Sequence, residues 1–207
     1  MMTQFHRVST LDALLGLYGE VNANSLRKEV PALTPEYRQW IEASPFFTIA
    51  TSGPGGLDCS PRGDKAGQLF LVLDAHTLVI PDRRGNNRLD TLRNLISDPR
   101  VGLLFFIPGV AECVRVNGTA IVSTDPLLRA RFAVDGALPV TVIVVSIASV
   151  YFQCARSIMR SGLWESAAEE KRPDVPTAGE MTRSGDASFD AASYDAALKS
   201  RQTSTLY

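Results

Sequence analysis

The sequence predicts a mainly β chain with peripheral helices, an α+β protein built on one closed or nearly closed antiparallel barrel. About six runs rich in β-branched and aromatic residues recur along it, each bounded by Gly, Pro, Asn or Asp. The helical patterns between them are short. Tight turns join neighbouring runs, which makes the strands fold back on one another instead of crossing over through long helices.

The elements can be justified in order. Thr10 is placed to cap a first helix carrying Leu11, Leu14, Leu15 and Tyr18 and closed by Gly19. Residues 22–31 read as a loop. A second helix starts at Thr34-Pro35, with proline at its first position, and carries Tyr37, Trp40 and Ile41. Residues 46–51 form a strand, and Ser52-Gly53-Pro54-Gly55-Gly56 turns the chain toward Cys59. Strands at 69–73 and 78–80 are joined as a hairpin by Asp74-Ala75-His76-Thr77. Leu89, Leu92, Leu95 and Ile96 then have helical spacing, with Asn86 or Asn87 as N-cap and Asp98-Pro99 as the stop. Residues 101–107 and 113–123 are strands, the second bent at Asn117-Gly118. Asp125-Pro126 opens a helix with Leu127, Leu128, Phe132 and Val134, ended by Gly136. Residues 140–148 are a buried strand running on toward Arg156, and 157–164 form a short helix. From Ala167 the composition turns to charge, Pro, Gly, Ala and Ser, leaving a tail with one weak helix at 191–198.

At 207 residues and 45% hydrophobic content the chain suits a single domain: N-terminal helices at 1–44, a barrel core at 45–165 and a docking tail at 166–207. A net charge of −1 excludes a globally basic nucleic-acid binder but permits a local basic site. No stretch reads as a signal peptide or a membrane span, because 11–18 is too short and 140–148 is β-branched and broken by Thr141 and Ser146. Cys59, Cys113 and Cys154 are widely separated, so a reduced, cytoplasmic compartment is expected. His6 and His76 have no second ligand at metal spacing, and no metal site is expected. No catalytic residue is assigned.

Chemistry concentrates between Cys59 and Ile96. Cys59-Ser60-Pro61-Arg62-Gly63-Asp64-Lys65 precedes the hairpin, and Ile80-Pro81-Asp82-Arg83-Arg84-Gly85-Asn86-Asn87-Arg88 follows it. A hairpin returns both clusters to one end of the sheet. Guanidinium groups beside a helix start are what a phosphate monoester binds.

These motifs, with the later Arg115-Val116-Asn117-Gly118, resemble a branch of the pyridoxamine 5′-phosphate oxidase-like flavoproteins, which are FMN-binding split β-barrels. The resemblance runs from about Leu11 to Tyr207. It implies FMN as cofactor and FMN-dependent oxidoreductase activity through flavin N5 on an unknown substrate. It also implies a homodimer with FMN at the interface. Arg62 and Asn86-Asn87-Arg88 match positions that contact FMN, and Arg62, Arg83, Asn87 and Arg88 are the candidates for its phosphate end; Gly63-Asp64 and Pro81-Asp82 match segments lying along the ribityl chain and ring. Cys113, Arg160 and Trp164 match later positions near the flavin. Two departures stand out: Gln153 and Arg156 replace the His and Lys of a His-Cys-x-Lys signature, and no histidine follows His76 to form the Arg-x-His pair that holds substrate in true oxidases. A pyridoxine-phosphate oxidase is therefore not expected. A flavin carrier or redox sensor without turnover is the alternative, and a module for another phosphorylated ligand the third reading.

Overall fold

The computed structural model describes residues 6–65, 67–165 and 175–204. Seven antiparallel strands form one sheet: β1 (Phe46–Gly53), β2 (Gly56–Gly63), β3 (Leu71–Asp74), β4 (Thr77–Pro81), β5 (Arg100–Phe106), β6 (Cys113–Ser123) and β7 (Val142–Gln153). Their order across the sheet is β2-β1-β5-β6-β7-β4-β3. The sheet does not close, so β2 and β3 are its two edges. Alternate residues of β1, β5, β6 and β7 point inward, and Phe47, Ile49, Leu103, Phe105, Val114, Val116, Ile143 and Val145 fill one core with Leu78 and Ile80. Phe47, Phe70 and Phe105 meet in it, with ring centroids 4.9–6.3 Å apart.

The helices divide into those that pack on the sheet and those that do not. α3 (Pro35–Glu42) starts at Thr34, whose Oγ1 accepts the Tyr37 N–H, and buries Ile41. α4 (Asp90–Ser97) lies against β1 and β2. Its buried face is Thr91, Asn94 and Leu95. The predicted face needs correction, since Ile96 is 76% exposed and Leu89 stands outside the helix. Asn94 sits inside because Nδ2 donates to Thr51 Oγ1 at 3.2 Å, satisfying a buried amide. α1 (Leu11–Leu15), capped by Thr10, buries none of its residues. Its apolar residues, read as a packing face, are exposed. α2 (Ala23–Arg27) occupies a stretch predicted as loop.

Further differences are local. α5 (Pro126–Ala130) stops a turn earlier than predicted, with Phe132 buried beyond it. β7 starts two residues later than the predicted strand and runs five residues further, to Gln153. α6 (Arg156–Ser161) ends at Gly162, which adopts φ +61°. Among its described residues the tail has two helices: α7 (Ala178–Gly185), not predicted, and α8 (Ala191–Ser204). These two pack together, with Thr177 Oγ1 and the Gly179 N–H both donating to Asp195. Among the described residues no helix is long and apolar enough to cross a membrane.

Candidate functional site

β3 and β4 form the predicted hairpin, its turn held by the His76 N–H donating to Asp74 Oδ1 at 2.7 Å. The start of β3 and the end of β4 therefore lie at the same end of the sheet. The segment leaving β2 reaches that end too, from the opposite edge. Together they wall an open cleft of about 800 Å³, a size that takes a cofactor. Arg62, Gly63, Asp64, Pro81, Asp82, Arg83, Asn86, Asn87 and Arg88 all line it. Leu69, Ile80, Leu92, Val134, Leu138 and Val140 give it an apolar side.

The cations are not equivalent. Arg83 Nε and Nη2 each lie 3.0 Å from Asp64 Oδ2, and Nη1 donates to the Phe132 carbonyl at 2.7 Å. Arg62 donates to Thr91 Oγ1 at 3.3 Å, and Thr91 in turn donates to Asp58 at 2.5 Å. Arg88 Nε pairs with Asp90 at 2.8 Å on the surface, a contact that holds its guanidinium more basic than usual. Arg84 has no carboxylate within ion-pair distance among the described residues. Asp82 is half-buried, and desolvation raises its carboxyl above the usual range, with the Arg62 charge pulling it partly back. Its N–H donates to the Thr141 carbonyl at 3.0 Å, which fixes it at the rim.

The loop between Asp82 and α4 carries two non-glycine residues in the left-handed region, Asn87 at φ 59° and Leu89 at φ 61°. Neither Asn86 nor Asn87 caps α4, which corrects the predicted cap. Leu89 is the N-cap residue, no side chain caps the helix, and Asn86 Oδ1 instead accepts the Arg88 N–H at 3.1 Å. The first turn of α4 thus meets the cleft without a capping side chain.

Cys113, Arg160 and Trp164 lie outside this cleft. Cys113 pairs with Gln153 across β6 and β7 and is buried, and burial raises its thiol, with Glu112 adding to the shift. Arg160 is exposed on α6, and Trp164 Nε1 donates to the Val110 carbonyl at 2.8 Å. The sequence reading missed Asp58, Thr91 and Asp90. Asp58 alternates with Ser60 and Arg62 along β2, a period-2 pattern that puts all three on one face. Among the described residues no group of three His, Cys, Asp or Glu could hold a metal.

A family model described as pyridoxamine 5′-phosphate oxidase matches residues 33–154, more than half of the chain. The chain belongs to the pyridoxamine 5′-phosphate oxidase family. The match starts just before α3 and ends just after β7, so it spans all seven strands and the cleft. HupZ of Group A Streptococcus is 15% identical over 57% of this chain and 91% of its own, with a TM-score of 0.48. General stress protein 26 of Bacillus anthracis is 14% identical over 56% of this chain and 88% of its own, with a TM-score of 0.43. An FAD binding protein of Mycobacterium smegmatis is 18% identical over 60% of this chain and 97% of its own, with a TM-score of 0.41. No curated protein matches the chain.

Proposed function

We propose that the chain binds FMN in this cleft and acts as an FMN-dependent oxidoreductase. The observation that carries the reading is the convergence of both arginine-containing clusters on one cavity that also has an apolar wall and an uncapped helix start. This donor set fits the group. Arg62, Arg88 and the Asn86-Asn87 backbone would hold the phosphate, and the backbone of Gly63-Asp64 and Pro81-Asp82 would lie along the ribityl chain and ring. The apolar residues would exclude water from the ring. Bound flavin supplies hydride or single-electron transfer at N5, chemistry that no residue of this cleft provides.

Purified protein mixed with FMN and desalted should keep a two-banded yellow spectrum, and loss of all flavin on desalting refutes the reading. A flavin carrier or redox sensor without turnover is the second reading. Anaerobic reduction by NADH or NADPH followed by reoxidation by an acceptor supports the oxidoreductase, and failure of both steps supports the carrier. A homodimer belongs to the same proposal, because Phe46, Leu57, Phe152 and Leu163 are exposed apolar residues and β2 is an open edge. Cys113, Arg160 and Trp164 would then approach a flavin only across such an interface. Light scattering tests this, and a monomer that retains FMN overturns it.

A further inference from the structure

The four arginines of the cleft look alike in sequence, but only Arg83 is tied to several separate segments. Its guanidinium reaches Asp64 just beyond β2, the Gln68 carbonyl before β3 and the Phe132 carbonyl beyond α5. Arg83 itself stands two residues beyond β4. Asp64 and Arg83 thus join the chain leaving one edge strand to the chain leaving the hairpin at the other edge, across the gap that the open sheet leaves. The pair is also the most enclosed ion pair described, with the Asp64 side chain 3% exposed and that of Arg83 21% exposed. Asp64 is held on its own side as well, its N–H donating to the Pro45 carbonyl at 3.2 Å and its Oδ1 accepting the Lys65 N–H at 2.8 Å. A planar fork with donors in several directions can make these contacts at once, whereas an ammonium at the end of a flexible stem cannot.

We propose that Arg83 is a positioning residue and not a phosphate contact: with Asp64 it latches the two edges of the open sheet together and sets the geometry of the cleft. Its role toward flavin rests on the function proposed above, while the latch itself does not. The anionic end of a ligand is then left to Arg62, Arg84 and Arg88, none of which is paired with a carboxylate as enclosed as Asp64.

The test uses the full chain with Asp64→Asn, Arg83→Ala, Arg83→Lys and the Asp64→Asn/Arg83→Ala double variant. FMN and riboflavin affinities are read by fluorescence quenching, and hydrogen exchange is followed in the ligand-free proteins. A latch predicts that Asp64→Asn and Arg83→Ala each weaken both flavins by a similar factor, about tenfold. The double variant should be no worse than the worse single one, since either change opens the same pair. Exchange should quicken in residues 59–64 and in 81–88 together, with β5 and β6 still protected. Arg83→Lys, which keeps the charge without the fork, should show a partial loss and remain folded if the alanine variant does not.

Three results overturn the proposal. One is loss of FMN affinity with riboflavin unchanged in Arg83→Ala, joined by tighter FMN binding in Asp64→Asn, which would make Arg83 a phosphate contact restrained by Asp64. Another is Arg83→Lys behaving as wild type. The third is exchange that stays unchanged in either segment. If wild type binds neither flavin, the FMN reading fails by itself and the exchange data still decide the latch.

Discussion

Gly118→Ala should be among the most damaging single-methyl additions in this protein. Gly118 lies opposite a bulge in β7, where the register jumps from Asn117↔Ser149 to Gly118↔Ile147 and passes over Ala148. A Cβ there would overlap the Ser146 carbonyl oxygen and stand 3.0 Å from Ser146 C and 3.2 Å from Ile147 Cα. All three are backbone atoms, so no side chain can swing away. The strands would have to part by roughly 1 Å, weakening about two ladder hydrogen bonds at about 0.5–1.5 kcal/mol each and straining the surrounding core by a further ~1–3 kcal/mol. The damage would spread, because the Ile147 N–H also donates to the His76 carbonyl at 2.8 Å and so ties β7 to the β3–β4 turn. A loss of about 3 kcal/mol corresponds to a Tm lower by roughly 6–12 °C in a chain of this size. Urea unfolding and calorimetry read both quantities. Gly55→Ala, with nothing within 4 Å, is the control. A Gly118→Ala protein within about 0.5 kcal/mol of wild type would refute the reasoning.

Three further outcomes are expected. Arg88→Ala should weaken FMN binding about tenfold or more, measured by fluorescence titration, whereas Arg93→Ala, one turn inside the exposed face of α4, should change it much less; equal losses would mean that the phosphate end is misplaced. The raised carboxyl of Asp82 binds its proton more tightly in the folded than in the unfolded chain. Its favourable contribution is therefore complete below the unfolded value of about 3.9 and is lost as pH rises through the higher folded value. Asp82→Asn should accordingly gain on wild type in urea midpoint between pH 4 and 7, and a gap that is the same at both pH values would contradict this. FMN-loaded protein should form pyridoxal 5′-phosphate from the pyridoxamine or pyridoxine phosphates far more slowly than about 1 per second, because no histidine follows His76 to complete the Arg-x-His pair of true oxidases; turnover at or above that rate would show another side chain in the role.

Most strand positions were legible because their determinants are local. Runs of β-branched and aromatic residues, with turn residues at 52–56 and 74–77, place β1, β3, β4, β5 and β6 and both hairpin turns close to where they lie, whereas β2 was read only as chain leaving a turn. Helices were read less well where burial decided their faces. Leu89, Leu92, Leu95 and Ile96 have perfect helical spacing, yet α4 turns Thr91 and Asn94 inward because hydrogen bonds to Thr51, Arg62 and Asp58 satisfy them. Polar residues with partners are invisible to hydrophobic periodicity. The apolar spacing of α1 was equally sound, and no partner surface covers it among the described residues.

The cleft shows the same division between what spacing carries and what contact decides. Two basic clusters flanking a hairpin must converge at one end of it, so the location of the site follows from chain order alone. The roles of the arginines do not, because each depends on which carboxylate the fold brings alongside. Asp64 is 19 residues from Arg83, with its own side chain buried and that of Arg83 half-buried; Asp90 is two residues from Arg88 and exposed with it. The first pair resists any ligand, since moving Arg83 would strand a buried carboxylate. The second is screened by water and readily exchanged, since a dianionic phosphate offers Arg88 a stronger partner than one exposed carboxylate does. Burial of the counter-ion, and not the presence of the cation, thus separates the arginine that shapes the cleft from those that can answer a ligand.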